Sequence, residues 1–225
     1  TMLYTQFATG ADVAANNLFL LGPAQPLELT RSRSVEAGVK SLFWESRGEW
    51  NFAVFDIERN NVYAAAGGRA LNVAGQQKSR GAELALAVRP TPVWNLWANF
   101  AYTDAEYRNY NFTGGSFSGN TPPNVPRVVA NAGLAYRLPV ALPADVGASV
   151  RHVGERFHSD ANTVKLLAYT VIDAFAAVEV AKTRLTFRVR NLTNEKYAVW
   201  SDAFYPDQIL LGAPRTYEVQ AQFWF

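Results

Sequence analysis

Cysteine is absent from the 225 residues, which excludes a disulfide framework and any thiolate-based metal or redox site. A basic run is absent too. The 21 Lys and Arg stand against 19 Asp and Glu, and a scattered formal charge of +2 does not suit a nucleic-acid partner. No apolar stretch reaches the roughly 18 residues that a membrane helix needs, since the nearest candidate, Leu166 to Val180, is broken by Asp173 and Glu179. Thr1 to Gly10 has no basic region ahead of an apolar one, so it does not read as a secretory signal. That segment alternates from its first residues, as a piece cut from a longer protein would.

What is present is period-two alternation, repeated along the chain. Thr216 to Phe225 puts Tyr217, Val219, Ala221, Phe223 and Phe225 on one face and Glu218, Gln220 and Gln222 on the other. The same two-faced pattern runs through Val35–Phe43, Ala82–Arg89, Leu96–Thr103, Val128–Arg137, Val146–Arg151, Tyr169–Val180 and Leu185–Arg190. Leu3–Ala8 and Trp50–Glu58 are less regular, and the phase of the second stays open. This predicts ten strands, several as long as the nine to eleven residues that a tilted membrane strand requires. Aromatic residues, 13% of the chain, gather at the ends of many of these segments, where a membrane barrel meets water.

Alternation alone also fits a soluble sandwich; the connections separate the two. Glu45–Glu49, Pro90–Val93, Leu138–Asp145 and Ala181–Arg184 are short, whereas Gly10–Pro26, Arg59–Gln76, Arg108–Val125, Glu155–Lys165 and Glu195–Ala213 are long. Short and long alternate without exception. Outer-membrane barrels sort their connections this way, with tight turns on the periplasmic side and long loops outside. The expected fold is therefore all-β, a transmembrane antiparallel β-barrel in the bacterial outer membrane, with Phe225 at the periplasmic end. Ten strands must either close on themselves or continue a wall begun before Thr1, because an open edge in lipid leaves backbone groups unpaired.

Several stretches carry a resemblance to the TonB-dependent receptors, in particular their siderophore-receptor branch. They are RSRSVEAGVK around Arg33–Val39, GQQKSRGAEL from Gly75, GNTPPNVPR over Gly119–Arg127, AYTVID over Ala168–Asp173, NLTNEKY over Asn191–Tyr197, and GAPRTY over Gly212–Tyr217. They occur in the family's order across nearly the whole chain. The resemblance implies that residues 1–225 are the C-terminal portion of a plugged barrel of about 22 strands, with the plug domain and N-terminal strands outside this chain. It implies capture of a ferric siderophore as transported ligand, not cofactor, and its import with energy from the TonB complex acting through the plug. Outer-membrane lipid and the barrel assembly machinery, the latter through the terminal Phe225 pattern, are further implied partners. Family resemblance leaves cobalamin or an oligosaccharide open as the cargo, and a self-closed ten-stranded enzyme or pore as a more distant reading.

Cargo contacts are expected in the long loops and upper lumen, where Tyr107, Tyr110, Phe112, Arg156, His158, Trp200, Phe204 and Tyr205 offer aromatic faces and cations. The same aromatic residues could instead pack the loops against each other. Glu36, Lys40, Glu83, Arg89, Arg151, Asp173, Arg188, Arg190 and Glu218 fall on the lumen side, where a hydrogen-bonded ladder is the expected role. His152, His158 and Asp160 are the residues a metal or hydrolytic site would use. Both histidines lie on one segment without a second acidic pair, so neither a metal site nor catalysis is expected, and the histidines read as neutral or solvated rim residues. Pro122, Pro123 and Pro126 end pairing before Val128, and Asn191 and Asn194 suit a bend at the rim.

Overall fold

The computed structural model describes residues 1–12, 29–66, 70–112, 115–201 and 208–225, with side chains described except at 63–66, 70–74 and 112. In chain order the strands are β1 (Met2–Asp12), β2 (Thr30–Phe43), β3 (Gly48–Ala66), β4 (Ala70–Val88), β5 (Trp94–Tyr107), β6 (Asn111–Phe112) and β7 (Gly115–Ser116). Then follow β8 (Val128–Arg137), β9 (Ala144–Val153), β10 (Arg156–Phe157), β11 (Lys165–Leu166) and β12 (Tyr169–Val180). The last are β13 (Thr183–Arg190), β14 (Ala198–Ser201), β15 (Ile209–Leu211) and β16 (Thr216–Phe223). Ten of them form one antiparallel sheet in the order β1-β2-β3-β4-β5-β8-β9-β12-β13-β16. The three short ribbons, β6–β7, β10–β11 and β14–β15, belong to the loops at one end of this wall.

The register assigns each side chain to a face, because paired residues in neighbouring strands point the same way. One rung runs Lys40, Asn51, Ala85, Asn99, Asn131, Arg151, Val171. The next runs Leu3, Val39, Phe52, Leu84, Phe100, Ala130, His152, Thr170. The first is polar and inward, the second almost wholly apolar and outward. This fixes the phase that Trp50–Glu58 leaves open: Phe52 and Val54 face out, Asn51 and Ala53 face in. Leu84, Phe100, Phe187 and Val219 are 42% or more exposed on the outer face. The exposed area of the chain is 14227 Å², against about 10,000 Å² for a compact soluble protein of 24.8 kDa. A wall with one greasy face requires lipid to cover it.

The register also sets the tilt. A single rung passes from Gly48 through Val88, Leu96, Leu134, Ala148, Ala174 and Val189 to Tyr217. It begins at the tight-turn end of β3 and reaches six residues above the corresponding end of β16. Six residues of rise, about 20 Å, over seven strand spacings, about 34 Å, give a tilt of roughly 30°, near that of membrane barrels.

The tight connections occur where alternation predicts them, and each spans only a few residues between paired strands. At one of them Trp44, Glu45 and Ser46 all have positive φ, and the turn is held by Arg47 N–H donating to the Trp44 carbonyl at 3.0 Å. The long connection expected over Arg59–Gln76 is corrected. Most of it is strand, since β3 and β4 stay paired from Asn60–Gln76 up to Ala66–Ala70. Weak hydrophobic alternation there hid the ladder from the sequence pattern. This hairpin continues about 30 Å beyond Asp56 and stands above the wall.

Candidate functional site

Above the wall, the loops following β5, β9 and β13 are bonded to each other through a few polar side chains. Tyr107 ends β5, and Tyr110 lies one turn beyond it. Their rings meet edge to face at 4.9 Å, and Tyr110 meets Phe117 the same way at 5.3 Å. Tyr107 and Tyr110 are 5% and 0% exposed, and with Val62 of β3 they form the buried apolar cluster of the described residues. Both hydroxyls donate to Asp160 of the next loop, Tyr107 to Oδ1 at 2.9 Å and Tyr110 to Oδ2 at 3.1 Å. Burial lifts the Asp160 carboxyl above the usual carboxylate range, and the two tyrosine hydrogen bonds pull it part of the way back. Burial, reinforced by the Asp160 charge, pushes both tyrosine hydroxyls up.

Backbone contacts extend this clasp. Asn120 Nδ2 donates to the Asp160 carbonyl at 2.7 Å. Asn162, in the left-handed region at φ 54°, accepts from Thr121 N and donates back to the Thr121 carbonyl, each at 2.8 Å. A third loop joins through Asn124, whose Oδ1 accepts from Ser201 N at 3.0 Å and whose Nδ2 donates to the Ser201 carbonyl at 2.8 Å. The fully buried Ser201 hydroxyl sits between Asn124 Oδ1 at 3.0 Å and the His158 carbonyl at 3.1 Å. Asn124 reads the Ser201 backbone as a neighbouring strand would, so the loops close without a shared sheet.

Arg156 lies beneath this junction, 3% exposed. Its guanidinium carbon is 5.5 Å from the centre of the Tyr169 ring, which lies against Tyr197 at 4.3 Å. Nη2 donates to the Ala198 carbonyl, and Nη1 has no hydrogen-bond partner among the described residues. Burial pulls this guanidinium below its usual range, and the neighbouring Tyr169 draws it part of the way back. At the base of the third loop Asn191, 2% exposed with φ 49°, bonds the Glu195 and Ala213 carbonyls through Nδ2 at 2.9 and 3.0 Å. That is the rim bend its sequence suggested, and Asn194 at φ 56° completes it.

Four of the aromatic and basic residues expected to touch cargo, Tyr107, Tyr110, Arg156 and His158, are therefore spent inside the loops. His158 is 8% exposed and does not fit a solvated rim histidine, because the third loop covers it through Ser201. His152 faces outward and shares a hydrogen bond with Thr170 at 2.9 Å. Trp200 is 45% exposed on β14 and remains on the loop surface. The Phe112 side chain, Phe204 and Tyr205 lie outside the described residues. Asn124, Asn162 and Ser201 carry the junction and were not singled out from sequence; short polar residues are common in loops, and only the fold reveals which ones meet.

Below the rim the inward face is polar and paired. Tyr4 donates to Glu36 at 2.7 Å and lies under Lys40. Asn131 Nδ2 donates to Asn99 Oδ1 at 2.7 Å, and Arg188 and Arg190 both reach Glu218, at 3.6 and 2.7 Å. Trp97, Arg151, Asp173, Arg190 and Tyr197 line one groove on this face, just under the third loop. No group of three or more His, Cys, Asp or Glu able to hold a metal occurs among the described residues. The arrangement can bind and guide a polar solute.

The family model for the TonB dependent receptor-like β-barrel matches residues 1–192. The ferrichrome outer membrane transporter and phage receptor of Escherichia coli (strain K12) is 28% identical over 206 residues, which cover 87% of this chain and 27% of that protein. A probable TonB-dependent siderophore receptor, PiuA of Acinetobacter baumannii, is 26% identical over 211 residues, 87% of this chain and 28% of that one. The crystal structure of PiuA superposes with a TM-score of 0.81 at 25% identity, over 97% of this chain and 33% of that chain. A copper transporter, OprC, shares the fold with a TM-score of 0.77 at 17% identity, over 99% of this chain and 37% of that chain. The chain thus spans about a quarter of the curated relatives' length. The greasy outer face, the polar inner face and the matched residues agree: this chain is a β-barrel portion of an outer-membrane protein of the TonB-dependent receptor family, whose members are transporters and receptors, not enzymes.

Proposed function

We propose that the full-length protein captures a ferric siderophore at the cell surface and delivers it to the periplasm with energy supplied by the TonB complex. The observation that carries this reading is the family match joined to relatives that are themselves siderophore receptors. The geometry supports it. A tied loop rim stands over an inward face bearing Arg151, Arg188 and Arg190, and cations with aromatic neighbours suit a bulky, oxygen-rich iron chelate. In this reading residues 1–225 are the C-terminal wall, and the plug and its TonB contact lie in other parts of the protein.

Cargo contact falls to the surface the loops leave open. Trp200 is the one residue of the expected aromatic set with a described, exposed side chain, and Tyr197 and Arg151 line the groove beneath it. Tyr107, Tyr110, Arg156 and His158 support that surface from within. Titration of the full-length receptor with ferrichrome, cobalamin and a maltooligosaccharide, followed by tryptophan fluorescence, tests the assignment. Saturable quenching by the ferric hydroxamate alone is expected, weakened in Trp200→Ala. Saturation by cobalamin or the sugar, with none by ferric siderophores of hydroxamate or catecholate type, would replace the cargo.

A further inference from the structure

Most inward arginines have a carboxylate beside them. Arg188 and Arg190 share Glu218 at 3.6 and 2.7 Å, and Arg184 reaches Asp145 and Glu179 at 2.8 and 2.7 Å. Arg151 departs from this pattern. It stands on β9 in the groove beneath the third loop, and among the described residues no ion pair or hydrogen bond engages its guanidinium. Asp173, in the same groove, also has no ion pair among the described residues. Its Oδ1 accepts the Asn191 amide hydrogen at 2.8 Å, which leaves Oδ2 to the groove.

Register sets the distance between these two charges. Arg151 pairs with Val171 and Asp173 with Ser149, so they are diagonal neighbours across β9 and β12, about 7 Å apart at the Cβ atoms. An arginine at that spacing can reach a carboxylate, yet the two heads stay beyond ion-pair contact, and the Asn191 amide holds Asp173 in place. A cation and an anion that face one groove without touching leave space for a ligand carrying both opposite charges.

Two rings give the groove an apolar wall beside these charges. Trp97 lies over Gly133, on the rung that continues through Ser149 to Asp173, and the Tyr197 ring lies over Gly212. The groove holds about 300 Å³, the lower limit for a ligand site. That space takes an end group, not a whole iron chelate.

We infer that the groove binds a zwitterionic α-amino-acid group, with its carboxylate on Arg151, its ammonium on Asp173 and its side chain against Trp97 and Tyr197. A guanidinium fits a carboxylate through two parallel hydrogen bonds, and the free Asp173 oxygen accepts from an ammonium. A plain anion would satisfy Arg151 and set a like charge near Asp173; a plain cation would do the reverse. The siderophore reading is needed for one point alone, that the group is an end of the cargo, because a free amino acid carries the same chemistry.

Isothermal titration of the full-length receptor with L-phenylalanine, phenylalaninamide and N-acetylphenylalanine tests the groove, since each blocked form lacks one of the two charges. Phenylalanine is expected to bind about tenfold more tightly than either. Arg151→Gln removes the partner of the carboxylate and should bind phenylalanine and its amide alike. Asp173→Asn keeps an acceptor for the Asn191 amide and should bind phenylalanine and its N-acetyl form alike. Equal binding of the three compounds by the wild-type receptor overturns the site. So does no binding of phenylalanine, or undiminished discrimination in a variant that migrates as a folded barrel in unboiled SDS. If a variant does not fold, the wild-type comparison decides. The source of the group is read from a ferric trihydroxamate with a free α-amino-acid end, set against the same chelate amidated there. Preference for the free end makes the group part of the cargo; no preference, with phenylalanine still bound, makes the ligand a free amino acid. If neither chelate binds and phenylalanine does, the siderophore reading falls and the groove stands.

Discussion

Asp160 receives the Tyr107 and Tyr110 hydroxyls and the Asn120 amide from the neighbouring loop, so its ionisation bears on the stability of that contact. In an open loop its carboxyl titrates near the ordinary value of about 4; in the clasp burial holds it higher. The folded form therefore takes up a proton more readily than the open one. Its advantage is fully present below the ordinary value and is lost as pH rises through the raised one. Hydrogen exchange over residues 108–112, 115–125 and 155–165 of the full-length receptor, corrected for intrinsic rates, should show protection that declines across that window. Asp160→Asn removes the titrating group and should flatten the profile, while Asp160→Ala takes away the acceptor that the buried Tyr107 hydroxyl uses, at a cost of about 1–3 kcal/mol. A wild-type profile as flat as that of Asp160→Asn would show that the carboxyl does not govern the clasp. Asn124→Ala is expected to free the third loop alone, with exchange rising over 196–201 and 208–212.

Among the elements, register is held by pairs of an aromatic ring and a glycine on the inward face. Tyr4 pairs with Gly38, Phe55 with Gly81, Trp97 with Gly133 and Phe175 with Gly147. In each pair the ring lies over its partner, so that a Cβ on the glycine would come within 2.5 Å of ring atoms. At Gly81 it would also meet the Tyr102 carbonyl at 2.1 Å, and backbone cannot swing aside. Gly81→Ala is therefore expected to destabilise the barrel by about 1–3 kcal/mol, read as a lower temperature for loss of the fast-migrating band in unboiled SDS gels. No change in that temperature would mean the strands slide to admit the methyl group. The alternation that revealed the strands does not reveal such pairs, because it is local and each pair joins two segments. For the same reason the upper β3–β4 ladder was not legible from sequence, nor the phase of Trp50–Glu58, whereas the tight turns and the two faces of the more regular strands were. The burial of Tyr107 and Tyr110 depends on Asp160, fifty residues away from Tyr110, and no spacing rule connects them.

The whole wall is a partition between lipid and a wet interior, and two neighbouring positions can test it. Leu84 and Ala85 are consecutive in β4, lie on opposite faces and sit three or four residues above a tight turn. The rise from that turn, about 11 Å, brings both near the middle of the apolar band. Leu84→Arg places a guanidinium among acyl chains and should destabilise the assembled barrel by about 2–4 kcal/mol. Ala85→Arg adds the same charge beside Asn51 and Asn99 on the polar face, where water and hydrogen bonds can reach it, and should change stability little. Urea titration of the full-length protein refolded into vesicles compares the two, since they share strand, height and strand propensity. Equal losses would mean the faces are not divided between lipid and water. The same partition applies at the end of the chain, where β16 carries Tyr217, Val219, Ala221 and Phe223 outward and the Trp224 amide bonds the Lys182 carbonyl at 3.0 Å. If the barrel assembly machinery reads this terminal pattern, Phe225→Ala should lower the amount of receptor in the outer membrane while purified, refolded protein keeps its urea midpoint. A fall in both would make Phe225 a packing residue of the wall and remove the assembly role.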